Sequence, residues 1–329
     1  MEKAIIEKIV KASGVSSGEL ILIHFWGEDT DKYIANRFLE AVVSLGATPI
    51  LLQQSRSMNK NIFTSAKDSC FNKKYFDLFD TFDAVLDVFT YQPVILGYEI
   101  EKDQYRLYHR YMSELFSKLV KLKRFAQIRI PTIENAKESG LESDDYISRM
   151  TLAYDVDYVT LRASCEDMVN RYSQSDTIVL HTGENCKLYF EIRGRNWQID
   201  AGDGDLPCGE IYIAPIENKT QGSIFFETLF IEDVGRFENI LFEVIDGQIV
   251  HSNHEIVNTF LNRLPANEKI VCELGIGMNP NIHSLCGYTL LDEKMAGTFH
   301  IAIGANTMFG GKNEASNHID LVGNGQIEF

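Results

Sequence analysis

The pattern of apolar residues changes near residue 175, and this change constrains the fold more than any other feature of the sequence. Upstream, short apolar runs typical of buried strands alternate with longer segments that have apolar residues at helical spacing. The predicted strands are 18–26, 48–55, 82–90 and 124–131, and the predicted helical segments are 30–47, about 101–123 and about 143–172. A strand, helix, strand order predicts a parallel sheet with helices on its faces.

Downstream of Ser173, the segments are short, rich in β-branched and aromatic residues, and separated by Gly, Asn and Asp turns. One helix, from about His254 to Leu264, interrupts them. The 329 residues fit two domains of roughly 150 residues each. We therefore predict an α/β N-terminal domain over residues 1–175 and a β-rich (α+β) C-terminal domain over residues 176–329.

Charge and composition narrow the classes of partner. A net charge of −16 disfavours nucleic acid and an anionic membrane surface, and no segment approaches the ~20 apolar residues of a membrane span. The sequence opens with charged and apolar residues at helical spacing and lacks the apolar core of a signal peptide. Six cysteines without a CxxC pair predict reduced thiols, and hence a cytoplasmic protein.

The turn after the first predicted strand reads GEDTDKY, with one glycine and three acidic residues. It lacks the glycine-rich cradle that binds phosphate groups in nucleotide-binding domains. We therefore predict that the first domain is a scaffold that covers the substrate cleft.

The second half carries several ionisable residues in apolar strands. His318 and Asp320 are two residues apart, so their side chains share one face of a strand. Each of Glu210, Glu273 and His300 lies in or beside an apolar run, where a charge is costly unless it is paired or bound to a metal. A single such residue would be explained by a hydrogen bond or an ion pair. Five in one domain favour a shared cation in a metal-binding catalytic domain.

The types of ligand limit the metal. Two imidazoles and three carboxylates suit Zn²⁺, Mn²⁺, Co²⁺ or Fe²⁺ and disfavour Ca²⁺. Five ligands suffice for two metals if one carboxylate bridges them, which is an arrangement of hydrolases. Cys272 adjoins Glu273 and, by strand alternation, should face away from it.

Two neighbouring residues are candidates for catalysis. Glu293, seven residues before His300, is a candidate general base, and an ion pair with Lys294 or Arg195 is an equal alternative. Lys294 could steady a substrate carboxylate or an oxyanion, or it could be a surface lysine. Asn306, Asn313 and Lys312 occupy a glycine-rich loop, where turn chemistry explains them as well as substrate binding does.

The motifs LYFEIRGRNWQID, LPCGEIYIAP, CELGIGMNP, LLDEKMAGTFHIAIG and HIDLV occur in this order. In order and spacing they resemble the thermophilic metallo-aminopeptidases of the aminopeptidase T and S type. The resemblance implies that Glu210, Glu273, His300, His318 and Asp320 are the ligands of a two-metal centre. It also implies a homodimer that acts on small peptides. Thr307 stands where the family has a ligand tyrosine, seven residues beyond the histidine of GTFHIA.

The stretch GANTMFGGKNEASNHID is also similar to 2,5-dihydroxypyridine dioxygenases, a related family with a single non-haem iron. Three functions therefore stay open. The first is a metallo-aminopeptidase-like hydrolase, in which a hydroxide bound to Zn, Co or Mn attacks an N-terminal peptide bond or a related small amide. The second is a ring-cleaving dioxygenase with one Fe. The third is a catalytically altered member that acts as a binding or tailoring protein in a specialised pathway.

Overall fold

The computed structural model describes residues 1–93 and 100–328. Its helices are α1 (Lys3–Ala12), α2 (Lys32–Ser44), α3 (Arg56–Ser65), α4 (Lys73–Asp77), α5 (Lys102–Leu119), α6 (Ile133–Glu138), α7 (Ser143–Tyr154), α8 (Tyr158–Tyr172), α9 (Glu255–Arg263) and α10 (Thr289–Asp292). Its strands are β1 (Leu20–Trp26), β2 (Thr48–Gln54), β3 (Ala84–Phe89), β4 (Arg124–Arg129), β5 (Thr177–Thr182), β6 (Cys186–Glu191), β7 (Gln198–Asp200), β8 (Asp205–Leu206), β9 (Glu210–Ile213), β10 (Gln221–Ile231), β11 (Gly235–Ile245), β12 (Gln248–Ser252), β13 (Val271–Gly277), β14 (Thr298–Gly304), β15 (His318–Asn324) and β16 (Gln326–Glu328).

The chain forms two compact units, of which the first contains residues 1–158 and 202–208. Its sheet is parallel, in the order β2-β1-β3-β4-β8. Six of the seven residues of β1 are buried, as expected for a strand covered on both faces. On one face, Leu22 and Val85 pack in a core with Phe63 of α3 and with Tyr108 and Leu115 of α5.

The helical period between residues 143 and 172 belongs to two helices rather than one. Helix α7 ends at Tyr154, where the N–H of Asp155 bonds back to the carbonyl oxygens of Thr151 and Leu152. Asp155 and Asp157 lie beyond this end, and negative charge is unfavourable at a helix C-terminus. Helix α8 begins at Tyr158.

The second unit contains residues 159–201 and 209–329 and has two antiparallel sheets. One has the order β12-β11-β10-β6-β5-β16, and the other has the order β15-β14-β13-β9-β7. Two of its strands, β10 and β11, are long, with 11 residues each. Phe226 of β10 and Phe299 of β14 pack together, with ring centroids 5.6 Å apart, so these faces of the two sheets share a core. The residues that alternate with Phe299, including His300, lie on the other face of the five-stranded sheet.

The predicted mixture of helices and several sheets is confirmed, whereas the domain boundaries at 1–175 and 176–329 stay predictions. All six cysteines are free thiols. In the part of the chain that the structure describes, no helix is both long enough and apolar enough to cross a bilayer.

Candidate metal centre

All five predicted ligands lie on the five-stranded sheet of the second unit. Glu210 begins β9, Glu273 lies in β13, His300 lies in β14, and His318 and Asp320 lie in β15. The register pairs Ala302 of β14 with Glu273 on one side and with Asp320 on the other. Strands distant in sequence thus deliver these side chains to one small region of the sheet.

The carboxylate of Glu273 lies between the two imidazoles. Its Oε1 is 3.2 Å from Nε2 of His300, and its Oε2 is 3.3 Å from Nε2 of His318. Nε2 of His300 is also 3.5 Å from Oε2 of Glu210, and Nε2 of His318 is 3.5 Å from Oδ1 of Asp320. Ligand atoms of Glu273, His300 and Asp320 all lie within 4.8 Å of one another. Each oxygen of Glu273 therefore faces a different imidazole.

Glycine makes room for this arrangement. Gly275 pairs directly with His300, and a Cβ at Gly275 would lie 1.9 Å from Nε2 of the imidazole. A side chain on β13 at this position would push His300 out of the cluster. The sequence GIG after Glu273 therefore has a steric role in the site.

A β-bulge between Val271 and Glu273 changes the direction of the neighbouring cysteine. Strand alternation predicts that Cys272 faces away from the site, but its Sγ lies 3.7 Å from Nδ1 of His318. The prediction was wrong because the bulge interrupts the two-residue period. Cys272 contacts the ring nitrogen that points away from Glu273.

The tautomer of His318 is set by a backbone carbonyl. Nδ1 lies 2.8 Å from the oxygen of Ala305, which can only accept a hydrogen bond, so Nδ1 is the donor. In the neutral imidazole this leaves the lone pair of Nε2 facing Glu273 and Asp320, the arrangement typical of histidines that bind metals. The ring of Phe309 packs edge-on against His318, with centroids 5.9 Å apart.

The pKa values show an excess of negative charge. Burial raises the pKa of Glu210 to about 8 against the opposing effect of Lys294. Burial also raises the pKa of Glu273, but hydrogen bonds from His300 and His318 outweigh it and lower that pKa to about 2. For His300, burial lowers the pKa, but Glu273 and Glu210 outweigh it and raise the pKa to about 9. In His318, Asp320, Cys272 and Glu273 likewise outweigh burial and raise the pKa far above its usual range. Protons on the imidazoles thus provide the positive charge that a metal would provide.

These residues fit a divalent cation. The donors are imidazole nitrogens and carboxylate oxygens, and all but His318 and Asp320 are buried. Within residues 1–93 and 100–328, Oε2 of Glu210 is buried and has no hydrogen-bond partner, although it faces His300. A buried carboxylate oxygen that lacks a donor is a natural ligand atom.

The two predicted catalytic residues lie beside the cluster. Lys294 is buried rather than at the surface, with Nζ 2.5 Å from Oε1 of Glu210 and 2.8 Å from Oε1 of Glu293. Of the alternatives for Glu293, the structure shows the ion pair with Lys294. Arg195 instead pairs with Glu217 at 2.7 Å. Burial raises the pKa of Glu293 against the opposing charge of Lys294.

Backbone and amide contacts hold the glycine-rich loop between β14 and β15. The Asn306 side chain donates to the carbonyl oxygen of Cys272 at 3.1 Å and accepts from the N–H of Asn313 at 2.8 Å. Glu217 accepts from the N–H of Lys312, and Arg195 donates to the carbonyl oxygen of Gly310. Asn306 and Asn313 therefore act through loop geometry, as turn chemistry predicts.

Thr307 is exposed and begins a one-turn 3₁₀ helix (Thr307–Phe309) directly after β14. The sequence difference at this position thus lies in a surface turn beside the cluster.

Sequence reasoning missed Asp200 and Tyr212. Asp200 is buried at the end of β7, paired with Glu210, and its Oδ2 lies 3.9 Å from Nζ of Lys294. Tyr212 follows Glu210 by two residues and pairs with Gly275. Burial and the charges of Glu210 and Glu273 raise the pKa of Tyr212. The two-residue spacing from Glu210 could have identified Tyr212 from the sequence. Asp200 could be identified only from the pairing of β7 with β9.

Buried carboxylates and imidazoles that converge on a glycine-lined sheet define a candidate centre for a metal-dependent enzyme. The chain belongs to the thermophilic metalloprotease (M29) family, whose model matches residues 14–326. The predicted resemblance to this family is thereby confirmed, and membership implies a divalent metal.

Two solved structures share the fold. Wild-type AmpT from Thermus thermophilus has a TM-score of 0.67 and 17% identity, over 97% of this chain and 92% of its own. A 2,5-dihydroxypyridine dioxygenase from Pseudomonas putida KT2440 has a TM-score of 0.65 and 14% identity, over 99% of this chain and 92% of its own. A search of curated proteins gives no match.

Proposed function

We propose that this protein is a metal-dependent aminopeptidase-like hydrolase that cleaves an N-terminal peptide bond or a related small amide. The observation that carries the proposal is Glu273, whose two oxygens lie 3.2 and 3.3 Å from the imidazoles of His300 and His318. Family membership in the thermophilic metalloproteases supports it.

The five side chains separate into two sets that share one carboxylate. Glu210 and His300 would hold one ion, His318 and Asp320 would hold the other, and Glu273 would bridge them. The donor types suit Zn²⁺, Co²⁺ or Mn²⁺. When bound, two such ions lower the pKa of water and polarise an amide carbonyl.

The remaining residues supply proton transfer and charge. Glu293 is our candidate to take a proton from the attacking water and return it to the leaving amine. Its pair with Lys294, at 2.8 Å, favours the ionised carboxylate that this role requires. Lys294 is also positioned to stabilise negative charge that develops on the substrate. Its contact with Glu210 favours the ionised form of that ligand against the effect of burial.

Metal content tests this proposal most directly. Protein purified without chelator should contain two equivalents of Zn, Co or Mn by elemental analysis, and His318→Ala should lose metal. His283→Ala, at an exposed histidine outside the cluster, is the matched control and should retain it. Chelator-sensitive release of amino acids from small peptides should follow the metal content. One iron per chain would overturn the hydrolase.

The dioxygenase is the second candidate because two histidines and Asp320 lie together, as a facial iron site requires. It would give one Fe and oxygen uptake with an electron-rich aromatic substrate. The third candidate, a binding or tailoring protein, is motivated by Thr307 and would hydrolyse none of a set of small peptides, and metal-free protein with unchanged stability in His318→Ala would favour it. A Thr307→Tyr variant that gains peptidase activity would identify this position as the cause.

The assembly and location are also part of the proposal. We propose a homodimer, which analytical ultracentrifugation of the full chain tests directly. The site in a cleft between domains and the cytoplasmic location stay predictions from the sequence.

A further inference from the structure

A cavity of about 170 Å³ lies on one face of the parallel sheet in the first unit, far in sequence from the metal centre. Its walls are mainly apolar, but two buried polar side chains from neighbouring strands take part. The residues that matter are His24 and Trp26 of β1, Asp87 and Phe89 of β3, and Met112 and Leu115 of α5.

Asp87 lies beside His24, whose ring is oriented by neighbouring amides. Its Oδ1 lies 2.8 Å from Nδ1 of His24, and both side chains are buried. Nε2 of His24 lies 2.8 Å from Nε2 of Gln54. The Asn59 amide donates to Oε1 of Gln54 at 3.1 Å, which orients the Gln54 amide with its N–H toward the imidazole. Nε2 of His24 therefore accepts from the Gln54 amide, whereas Nδ1 of His24 and Oδ1 of Asp87 have no hydrogen-bond partner among the described residues despite their closeness.

In the described part of the chain, a buried carboxylate oxygen of Asp87 without a hydrogen-bond partner therefore lies at the cavity. Gln127 of β4, which pairs with Asp87 in the sheet, also lines the cavity, and among the described residues neither Lys nor Arg does so. An uncompensated buried carboxylate is costly, so the site favours a cation. Of the residues that the structure describes, three with polar side chains line the cavity, His24, Asp87 and Gln127, and its other walls are apolar. Such walls suit a cation with a hydrocarbon part better than a hard metal ion, which takes roughly six or more oxygen ligands.

The apolar walls suit an organic cation instead. Trp26 and Phe89 supply aromatic surfaces, which attract ammonium groups as well as hydrocarbon. The volume compares with that of apolar cavities of about 150 Å³ that hold a benzene molecule. A ligand with its own carboxylate would be repelled by Asp87, which disfavours free amino acids.

We propose that this cavity binds a small primary amine without a carboxylate, with its ammonium group on Asp87 and its hydrocarbon part against Trp26 and Phe89. The site is separate from the proposed metal centre in sequence and in chemistry. It would give the chain a second ligand that is neither a peptide nor an amino acid.

Tryptophan fluorescence provides the test because Trp26 lines the cavity and the chain has two tryptophans. Chelator-treated full-length Trp197→Phe protein is titrated with benzylamine, so that metal cannot contribute to amine binding. We expect a saturable change that benzyl alcohol and phenylalanine do not produce. Asp87→Asn should weaken binding by about tenfold or more, the effect of losing a charged hydrogen bond. Asp68→Asn, at an exposed aspartate, should not.

Equal binding of benzylamine and benzyl alcohol, or no saturable binding of benzylamine, would overturn the proposal. Because Asp87→Asn could impair folding, Met112→Phe provides an independent variant that fills the cavity and keeps the carboxylate. It should weaken benzylamine binding while circular dichroism stays unchanged. Unchanged benzylamine binding in this variant would place the amine elsewhere.

Discussion

Asp87 in the first unit and Glu273 in the second are buried carboxylates beside histidines, but their surroundings differ. Asp87 lies beside one imidazole, that of His24, which accepts a hydrogen bond from the Gln54 amide. Glu273 instead faces two imidazoles that also contact other carboxylates.

The same contrast holds for a second carboxylate of the first unit. Glu28, just after β1, accepts hydrogen bonds from the Tyr91 hydroxyl at 3.1 Å and from the backbone N–H and hydroxyl of Ser57. Neutral donors stabilise Glu28, whereas the imidazoles of His300 and His318 stabilise Glu273. The comparison teaches that a buried carboxylate indicates a metal only where acidic groups outnumber the available donors and cations.

The largest expected effect is that of chelation. At a free metal concentration about 100–1,000 times the Kd, bound metal adds about 3–4 kcal/mol to the stability of the unit that binds it. Hydrogen exchange measured by mass spectrometry should therefore show faster exchange in β13–β15 after chelator treatment. Peptides from β1–β4 are the internal control and should change little. An equal increase in hydrogen exchange in both units would contradict the proposal that only the second unit binds metal.

Gly275→Ala should have the next largest effect, because the new Cβ would lie 1.9 Å from Nε2 of His300. We expect metal affinity to fall by about 100-fold, at the upper end for residues that orient ligands, with an overpacking cost of about 1–3 kcal/mol. Isothermal titration with Zn²⁺ measures the affinity.

Gly297→Ala is the control, since a Cβ there meets nothing within 4 Å. Its positive φ of 91° causes some strain of its own, which should lower stability without changing Zn²⁺ affinity. Full Zn²⁺ affinity in Gly275→Ala would show that His300 does not need this space.

Gln54→Leu should destabilise the first unit by about 2 kcal/mol, because it leaves His24 and Asn59 without their hydrogen-bond partner. Urea denaturation should give the same loss with and without chelator. Gln53→Leu, at the neighbouring and less buried position, is the comparison variant. A loss that appears only after metal removal would mean that the two clusters are not independent.

The smallest expected effect is that of Glu28→Gln, about 1 kcal/mol at pH 7. Burial raises the pKa of Glu28, but the hydrogen bonds from Ser57, Ser55 and Tyr91 outweigh it and lower the pKa. Because the folded-state pKa lies below the unfolded value of about 4.3, the stabilisation is present above that pH. It is lost as the pH falls through the folded-state pKa. Urea denaturation from pH 7 to pH 3 should therefore show the wild-type and variant stabilities converging. A constant difference would contradict this assignment.

Local sequence patterns predicted much of the fold. The apolar run of β1 and the helical period of α2 lie within the predicted segments, because burial and periodicity are local properties. The five candidate ligands were found because an ionisable residue in or beside an apolar strand is unusual, whichever strand lies next to it.

Features that depend on strand pairing could not be predicted. The bulge at Cys272 exists only in relation to β14, and Asp200 approaches Lys294 only because β7 pairs with β9. Lys294 follows a four-residue helix and gives no local sign of its burial. Such features require the register between distant strands, which a single sequence does not contain.

Strand β8 has a consequence for how the first unit is completed during synthesis. It pairs with β4, and the Tyr154 hydroxyl lies 2.7 Å from the carbonyl oxygens of both Arg129 and Leu206. Residues 159–201, which belong to the second unit, leave the ribosome between these two strands. The two strands are separated by residues 130–204, so at about 5–20 residues per second β4 waits roughly 4–15 seconds for its partner. We therefore expect a nascent chain that ends near residue 158 to expose a bare sheet edge and to need β8, supplied as a peptide or by fusion, to remain monomeric.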